Sequence, residues 1–470
     1  MRLKALVAFS GMALAAANAF ASPATPSNQL TIHEWGTFTA LQDENGNAVR
    51  GVNTDDEPVP DFVHNLHGML IQTPTQVPPV YFKGAPRSEN DVYVRLETPV
   101  LYFYPPADGK PHRVDVDVSF KGGWLTQFYP NAKASAPGLE DGRFEFGNLT
   151  DNTVGSLAWH NVQIGVSGAQ GPQTNDPVWT APRQVQAAMV TAEGGESERY
   201  LFYRGVGHIN APLRVVRGQN CDELAVRSQF GTFAHLPKGF STGPLWLVDV
   251  RPDGSCAVRT IEHVDLSQGP EKTVATIPAT FSASDYAADL KQLRKSMHAA
   301  LVENGLFDDE AEALLNTWEV SYFKQPGLRL FFMVPQIWAD HYLPLKVSES
   351  ADIRRVFVGR IELATPQQRQ LLRRIAAGPA SDSQWVYQAL KAAGGNREDF
   401  YREDWYKRVM DGKQDLASLH ITIPDDYKAY LALGRFRNAL ILDEATHRPT
   451  PALREFIQAY DLEASRTRGG

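Results

Sequence analysis

Past its first twenty or so residues, this chain has no long apolar run. No later stretch reaches the roughly 18–20 apolar residues that a membrane-spanning helix needs, so no membrane span is expected. Cysteine is nearly absent too, with only Cys221 and Cys256. Two thiols exclude an iron–sulfur cluster or an all-thiolate zinc site within the chain. Basic runs are missing, and the net charge is −8. That balance argues against nucleic acid and against anionic membrane surfaces as partners. The sequence also holds no G-x-S-x-G, S-x-x-K or H-E-x-x-H, so the common serine-hydrolase and zincin templates find no support. No phosphate loop and no dinucleotide-binding glycine motif after a strand is present either.

What is there begins with an export signal. Arg2 and Lys4 precede a mostly apolar run from Ala5 to Ala17, and Ala19-Phe20-Ala21 offers a small-x-small cleavage site before Ser22. Removing residues 1–21 from 470 leaves 449, and losing two cations takes the net charge from −8 to −10. The mature chain is therefore expected to be soluble and periplasmic or secreted. In that compartment an even pair of cysteines reads as one disulfide. Both flank strand-like runs (residues 224–230, 245–250 and 257–264), so the bond is expected to tie neighbouring strands of one sheet.

The pattern predicts an α+β protein with a β-rich, sandwich-like domain over residues 30–265, a mixed α/β region over 283–363 and a helical region over 364–465. In the first part, short strands are broken by Gly, Pro, Asn and Asp. Val114, Val116, Val118 and Phe120 alternate with Asp115, Asp117 and Ser119, which marks a half-buried strand. Gly122-Gly123 then predicts a hairpin into residues 124–129, and residues 91–104 read as a strand pair or as one long strand kinked at Pro99. Further on, Leu290, Leu293, Met297 and Leu301 stand at helical spacing, with Gly305 to end the helix. Thr365-Pro366-Gln367-Gln368 combines a capping box with proline at the first helical position. A single helix is expected over 425–444.

The densest chemistry lies in His33-Glu34-Trp35-Gly36-Thr37-Phe38-Thr39, which reads as a strand with Ile32, Glu34 and Phe38 on one face and His33, Trp35 and Thr37 on the other. Arg95 and Glu97 are expected to share a face with Leu101 and Phe103. If those strands are neighbours, Glu34, Glu97 and Arg95 meet in an apolar setting. Two carboxylates in different environments are what acid–base hydrolysis requires, whereas the structural reading is a buried ion pair that fixes strand register. Arg204, in Tyr203-Arg204-Gly205-Val206-Gly207-His208, is a further candidate for a bidentate anion contact. His64 and His67, with Asp61 nearby, would fall on one face of a short helix over 60–69. They would then supply a two-His-one-carboxylate set for a divalent transition metal such as zinc, copper or iron. Against that, both histidines could simply sit on the solvated side of the helix. Trp124, Trp159 and Trp179 would stack on sugars if exposed, but tryptophan in a β domain is usually core.

The opening heptapeptide resembles the hallmark of an uncharacterised family of exported bacterial proteins. The similarity continues through Glu97-Thr98-Pro99-Val100-Leu101-Tyr102-Phe103-Tyr104, Leu201-Phe202-Tyr203-Arg204-Gly205-Val206-Gly207, Gly305-Leu306-Phe307 with Thr317-Trp318, and Val358-Gly359-Arg360. It implies export and transfers no catalytic residue. Two readings follow from the sequence. One is an extracytoplasmic binding or envelope-associated protein for a small molecule or polymer. The other is a metal-dependent or acid–base hydrolase, which requires its histidines and carboxylates to converge in a pocket.

Overall fold

A computed structural model describes residues 29–53, 59–66, 81–82, 85–86, 88–108, 110–138, 148–218, 222–231, 236–286, 290–392, 394 and 421–463. The strands that position the candidate residues are, in chain order, β1 (Leu30–Gln42), β2 (Val94–Leu96), β3 (Val100–Tyr104), β4 (Gly123–Tyr129), β5 (Leu201–Gly207), β6 (Leu245–Val250), β7 (Gly327–Val334) and β8 (Ala351–Leu363). Three helices matter most: α1 (Leu290–Glu303), α2 (Asp308–Thr317) and α3 (Gln336–Tyr342). The fold is α+β, with one mixed sheet of sixteen strands. A three-stranded sheet of Leu213–Arg217, Glu223–Ser228 and Thr273–Pro278 stands beside it.

β1 occupies the middle of the large sheet because both of its faces are apolar. Ile32 and Phe38 join one core cluster, while Trp35 joins the other. This is the division of faces that the period of two implies. A strand covered on both faces belongs in a sheet interior, and only Thr31 of its thirteen residues escapes full burial. β8 lies parallel to it through an unbroken register from Leu30↔Ala351 to Gln42↔Leu363. On the other edge β2 and β3 run antiparallel, with Phe38↔Leu96 and Glu34↔Leu101. The sheet therefore unites the segment 30–265 with the segment 283–363. Pro99 divides β2 from β3, as its missing N–H and fixed φ require.

Glycine allows β1 and β8 to carry large rings without collision. Gly36 faces Phe357, and a Cβ there would lie 2.9 Å from the Phe357 ring and 3.0 Å from Pro99 Cα. Gly359 faces Phe38, and its Cβ would lie 2.3 Å from the Phe332 ring. The Trp-Gly-Thr-Phe run thus has a packing meaning: each glycine is the floor under an aromatic ring of the opposite strand.

Several local expectations hold. Val114, Val116, Val118 and Phe120 are all buried in His112–Lys121. Gly305, at φ +111°, ends α1. Thr365 accepts the Gln368 N–H at the start of Pro366–Ala377. Others need correction. Gly122 turns the chain, at φ +80°, but the strands on either side do not pair as a hairpin. His112–Lys121 pairs with Val154–Ile164, whereas β4 pairs with β5. The helix expected over 425–444 is two, Asp425–Ala432 and Arg437–His447, divided by Gly434 at φ +87°. Residues 143–146 and 397–410 lie outside the described residues, as does Cys221. Cys256 is buried at the start of Cys256–Ile261 in the large sheet, while Glu223–Ser228, just after Cys221, belongs to the small one. Among the described residues no helix is long and apolar enough to cross a membrane.

Adding a methyl group to these ring floors has a predictable cost. Gly36→Ala and Gly359→Ala should each lose about 1–3 kcal/mol, as overpacked cores do. Gly359→Ala should be the worse, because its new atom meets a ring at the shorter distance. Urea unfolding of the two variants beside the parent checks both the size and the order; equal midpoints for all three proteins would contradict this packing.

Candidate functional site

Glu34 sits on the Ile32/Phe38 face of β1, wholly buried, with both carboxylate oxygens engaged. The Tyr203 hydroxyl donates to one at 2.5 Å and Arg355 Nε donates to the other at 2.5 Å. Register explains the meeting: Glu34 is directly opposite Arg355 on β8, and Tyr203 on β5 projects from the same side. The second Arg355 arm reaches Asp340 of α3 at 3.1 Å, so the network runs from the sheet interior to a half-exposed carboxylate. Burial, and then the Glu34 charge, holds the Tyr203 hydroxyl protonated well above its ordinary range. Burial is the largest single influence on Arg355 and lowers its pKa, but Glu34, Tyr203 and Asp340 together outweigh it and raise the value.

Glu97 and Arg95 lie on the opposite face. Thr39 is paired with Arg95, and β1 keeps its register throughout, so Glu34 and Thr39, an odd number of residues apart, must point to opposite sides. Thr39 Oγ1 donates to Glu97 Oε1 at 2.8 Å and Arg95 Nε to the same oxygen at 2.7 Å. The expectation that Arg95 and Glu97 share a face with Leu101 and Phe103 is therefore corrected: the break at Pro99 resets the alternation between β2 and β3. Arg204 Nε donates to the Glu97 carbonyl at 2.5 Å, so Arg204 joins Arg95 and Glu97 while Glu34 does not. Arg435 adds a guanidinium 3.7 Å from Glu97 Oε1, and burial pulls its pKa down to about 9. Further along the same face, Arg360 Nε donates to Glu362 at 2.6 Å, and Arg329 lies 3.1 Å from that carboxylate. Arg329 also donates to the Ser321, Tyr322 and Gln325 carbonyls, closing the turn after α2.

His33, on the Trp35 face, has a partner that the sequence did not suggest. Its Nδ1 meets Glu310 Oε2 at 2.7 Å, and the Tyr104 hydroxyl donates to the other Glu310 oxygen at 2.8 Å. Glu310 also accepts the Phe307 N–H at 2.7 Å, which caps α2. Both His33 and Glu310 are buried, and the imidazole packs on Phe307 with ring centroids 4.4 Å apart. The sequence signals were a histidine in a strand-like run and a glutamate in the first turn of a helix. Neither names the other across 277 residues.

The helix expected over 60–69 does not hold at His64. His64 lies in a short strand paired with Phe128 of β4 rather than on a helix, and its Nε2 is 2.9 Å from both oxygens of Glu196. Extended backbone removes the i, i+3 face on which the expectation rested. Asp61 is exposed, and His67 lies outside the described residues. Among the described residues no group of three or more His, Cys, Asp or Glu side chains is placed to hold a metal ion. Trp124, Trp159 and Trp179 are at most 1% exposed, so they are core rather than sugar platforms.

Two measurements test these networks. Arg355→Leu should cost about 3–5 kcal/mol, because it strands a buried carboxylate. Asp340→Ala, at the solvent end, should cost about 1 kcal/mol or less. Chemical denaturation of the two separates them, and similar losses would contradict the assignment. Alkaline stability provides the second. Tyr102, Tyr104, Tyr200 and Tyr203 all hold their protons above the ordinary range, burial being the largest cause. Unfolded tyrosines ionise near pH 10. The stability that these groups contribute is thus full below about pH 10 and is lost as pH rises past it, by up to about 1.4 kcal/mol per pH unit for each. Urea midpoints should fall steeply as the pH rises above about 10, and a flat profile there would rule the effect out. No protein-family model matches the sequence, and no curated protein matches it significantly.

Proposed function

We propose that this chain is an exported, periplasmic or secreted protein that binds a small molecule or polymer, or associates with the envelope, and that its buried charges serve the fold. One observation carries the reading. Glu34 spends both oxygens on Tyr203 and Arg355, on the face opposite Glu97. The two carboxylates that would have formed an acid–base pair therefore do not line one cleft. His64 lies on a strand paired with β4, and its partner is Glu196.

The alternative is a metal-dependent or acid–base hydrolase acting on an extracytoplasmic substrate, and one feature favours it. His33 Nδ1 is oriented by the buried Glu310, the support that a general base needs.

The test is to offer the protein freed of residues 1–21 two panels. With aryl glycosides, esters and phosphate esters, with and without added zinc, turnover should stay at the buffer rate. With sugars, amino acids, peptides and inorganic anions, at least one class should raise the melting temperature. A ligand at a hundred times its Kd adds about 2.7 kcal/mol. Turnover that disappears in Glu97→Gln or His33→Gln would move the assignment to the hydrolase.

A further inference from the structure

Two arginines of the small sheet stand directly opposite each other. Arg214 and Arg227 are register partners in the antiparallel pair of Leu213–Arg217 and Glu223–Ser228, so their side chains leave the same face. A cleft of about 230 Å³ opens beside them, with Arg214, Gln229 and Tyr93 in its walls. We propose that this pair of guanidiniums binds a tetrahedral oxyanion, a phosphate or sulfate group that is free or carried by a small molecule. Such a site rests on the binding reading above and gives it a ligand class.

Like charges placed directly opposite in a sheet repel, and the fold answers this pair with one carboxylate. Among the described residues Glu271 alone makes ionic contact with either guanidinium, at 3.3 Å from Arg214 and 3.8 Å from Arg227. Both distances are longer than the roughly 2.7–2.9 Å of a well-made charged hydrogen bond. Arg214 has further partners that fix it, the Asn45 carbonyl at 2.9 Å and Asn47 Oδ1 at 3.1 Å. Arg227 is less well served: its Nε is buried and meets no acceptor among the described residues. A buried donor without an acceptor is costly, and an anion seated on the pair would supply one. The backbone beneath is fixed before any ligand arrives. Gln42, the last residue of β1, donates to the Leu213 carbonyl at 2.9 Å and accepts the Val215 N–H at 2.8 Å, tying the large sheet to the small one.

Charge and shape select the ligand class. Arg50, its guanidinium 5.5 Å from the centre of the Tyr93 ring, adds a third cation beside the cleft. The carboxylates that follow β1 are already engaged. Asp43 accepts the Asn45 and Asn47 N–H groups and the Asn47 carboxamide, and Glu44 is paired with Arg369. Among the described residues that leaves Glu271 against three guanidiniums, and Glu271 is half-exposed, with Oε1 shared with Gln229 Nε2 at 2.8 Å. It can give way to an incoming anion without leaving a charge buried. Its backbone is held at φ +62°, a left-handed conformation that residues other than glycine rarely adopt. Even so placed, its two coplanar oxygens reach both arginines only at long range. A tetrahedral anion carries its oxygens out of one plane, so it can accept from guanidiniums on two neighbouring strands at once.

The test titrates the chain freed of residues 1–21 with sodium phosphate, sodium sulfate and glucose 6-phosphate by calorimetry at constant ionic strength. Sodium acetate is the planar control. At least one tetrahedral anion should bind, and the tightest of the three identifies the source of the group. Arg227→Gln should weaken that binding at least about tenfold, the value of a charged hydrogen bond. Glu271→Gln should tighten it about two- to fivefold by removing the competing charge. Both variants should keep the parent's urea midpoint. If Arg227→Gln does not fold, Glu271→Gln decides alone, and an affinity no higher than the parent's overturns the site. Affinity unchanged in both variants overturns the site as well, and acetate binding as tightly as phosphate overturns the ligand class. If no tetrahedral anion binds while a sugar, amino acid or peptide stabilises the protein, this proposal falls and the binding reading stands. If nothing binds in either series, both fall.

Discussion

The parallel ladder between β1 and β8 is the constraint on which the rest of the molecule depends. It joins residues 321 apart in the chain, and every other central strand takes its place from one edge or the other of that pair. Closing so long a loop costs about 5 kcal/mol on the logarithmic length scaling. No local interaction offsets that, so the ladder has to be stabilised by burial on both faces. It is: Ile32, Phe38 and Phe357 pack on one side, with Trp35, Val356 and Val358 on the other. Gly36 and Gly359 are what allow strands so rich in large side chains to lie side by side.

Charge then fixes the register that burial alone leaves loose. A slip of β1 by one residue would carry Glu34 to the Trp35 face, away from both Arg355 and Tyr203. Thr39 would likewise lose Glu97. Buried ion pairs often add little net stability beyond an apolar replacement, but a lone buried charge is costly. The misregistered sheet is therefore penalised more than the native sheet is favoured. The same logic accounts for the guanidiniums that line the opposite face: Arg95, Arg204, Arg329 and Arg360 each meet a carboxylate, a carbonyl or both.

Local chemistry was legible where a residue acts on its near neighbours. Thr365 and Gln368, three residues apart, cap a helix between them, Gly305 stops one by its own φ, and Pro99 interrupts a strand by lacking an N–H. The valines of His112–Lys121 declare a half-buried strand through their alternation. The failures share one cause. Gly122 does turn the chain, but the hairpin rule assumes that the flanking strands pair with each other, whereas Val154–Ile164 and β5 take them instead. His64 was placed on a helix by a spacing of three, and pairing with β4 draws it into extended form. Gly434 divides a helix that periodicity alone carries straight through.

The α+β class and the two faces of β1 were readable from the sequence alone, because they follow from the periods of its apolar residues. The partners of its charged residues it does not fix. Whether Glu34 meets Glu97, Arg355 or neither depends on which strands lie beside β1 and in what register, and those strands come from distant parts of the chain. The same holds for His33 with Glu310. Side-chain chemistry is written locally; which groups share a site is decided by long-range strand pairing, and only the folded chain contains that pairing.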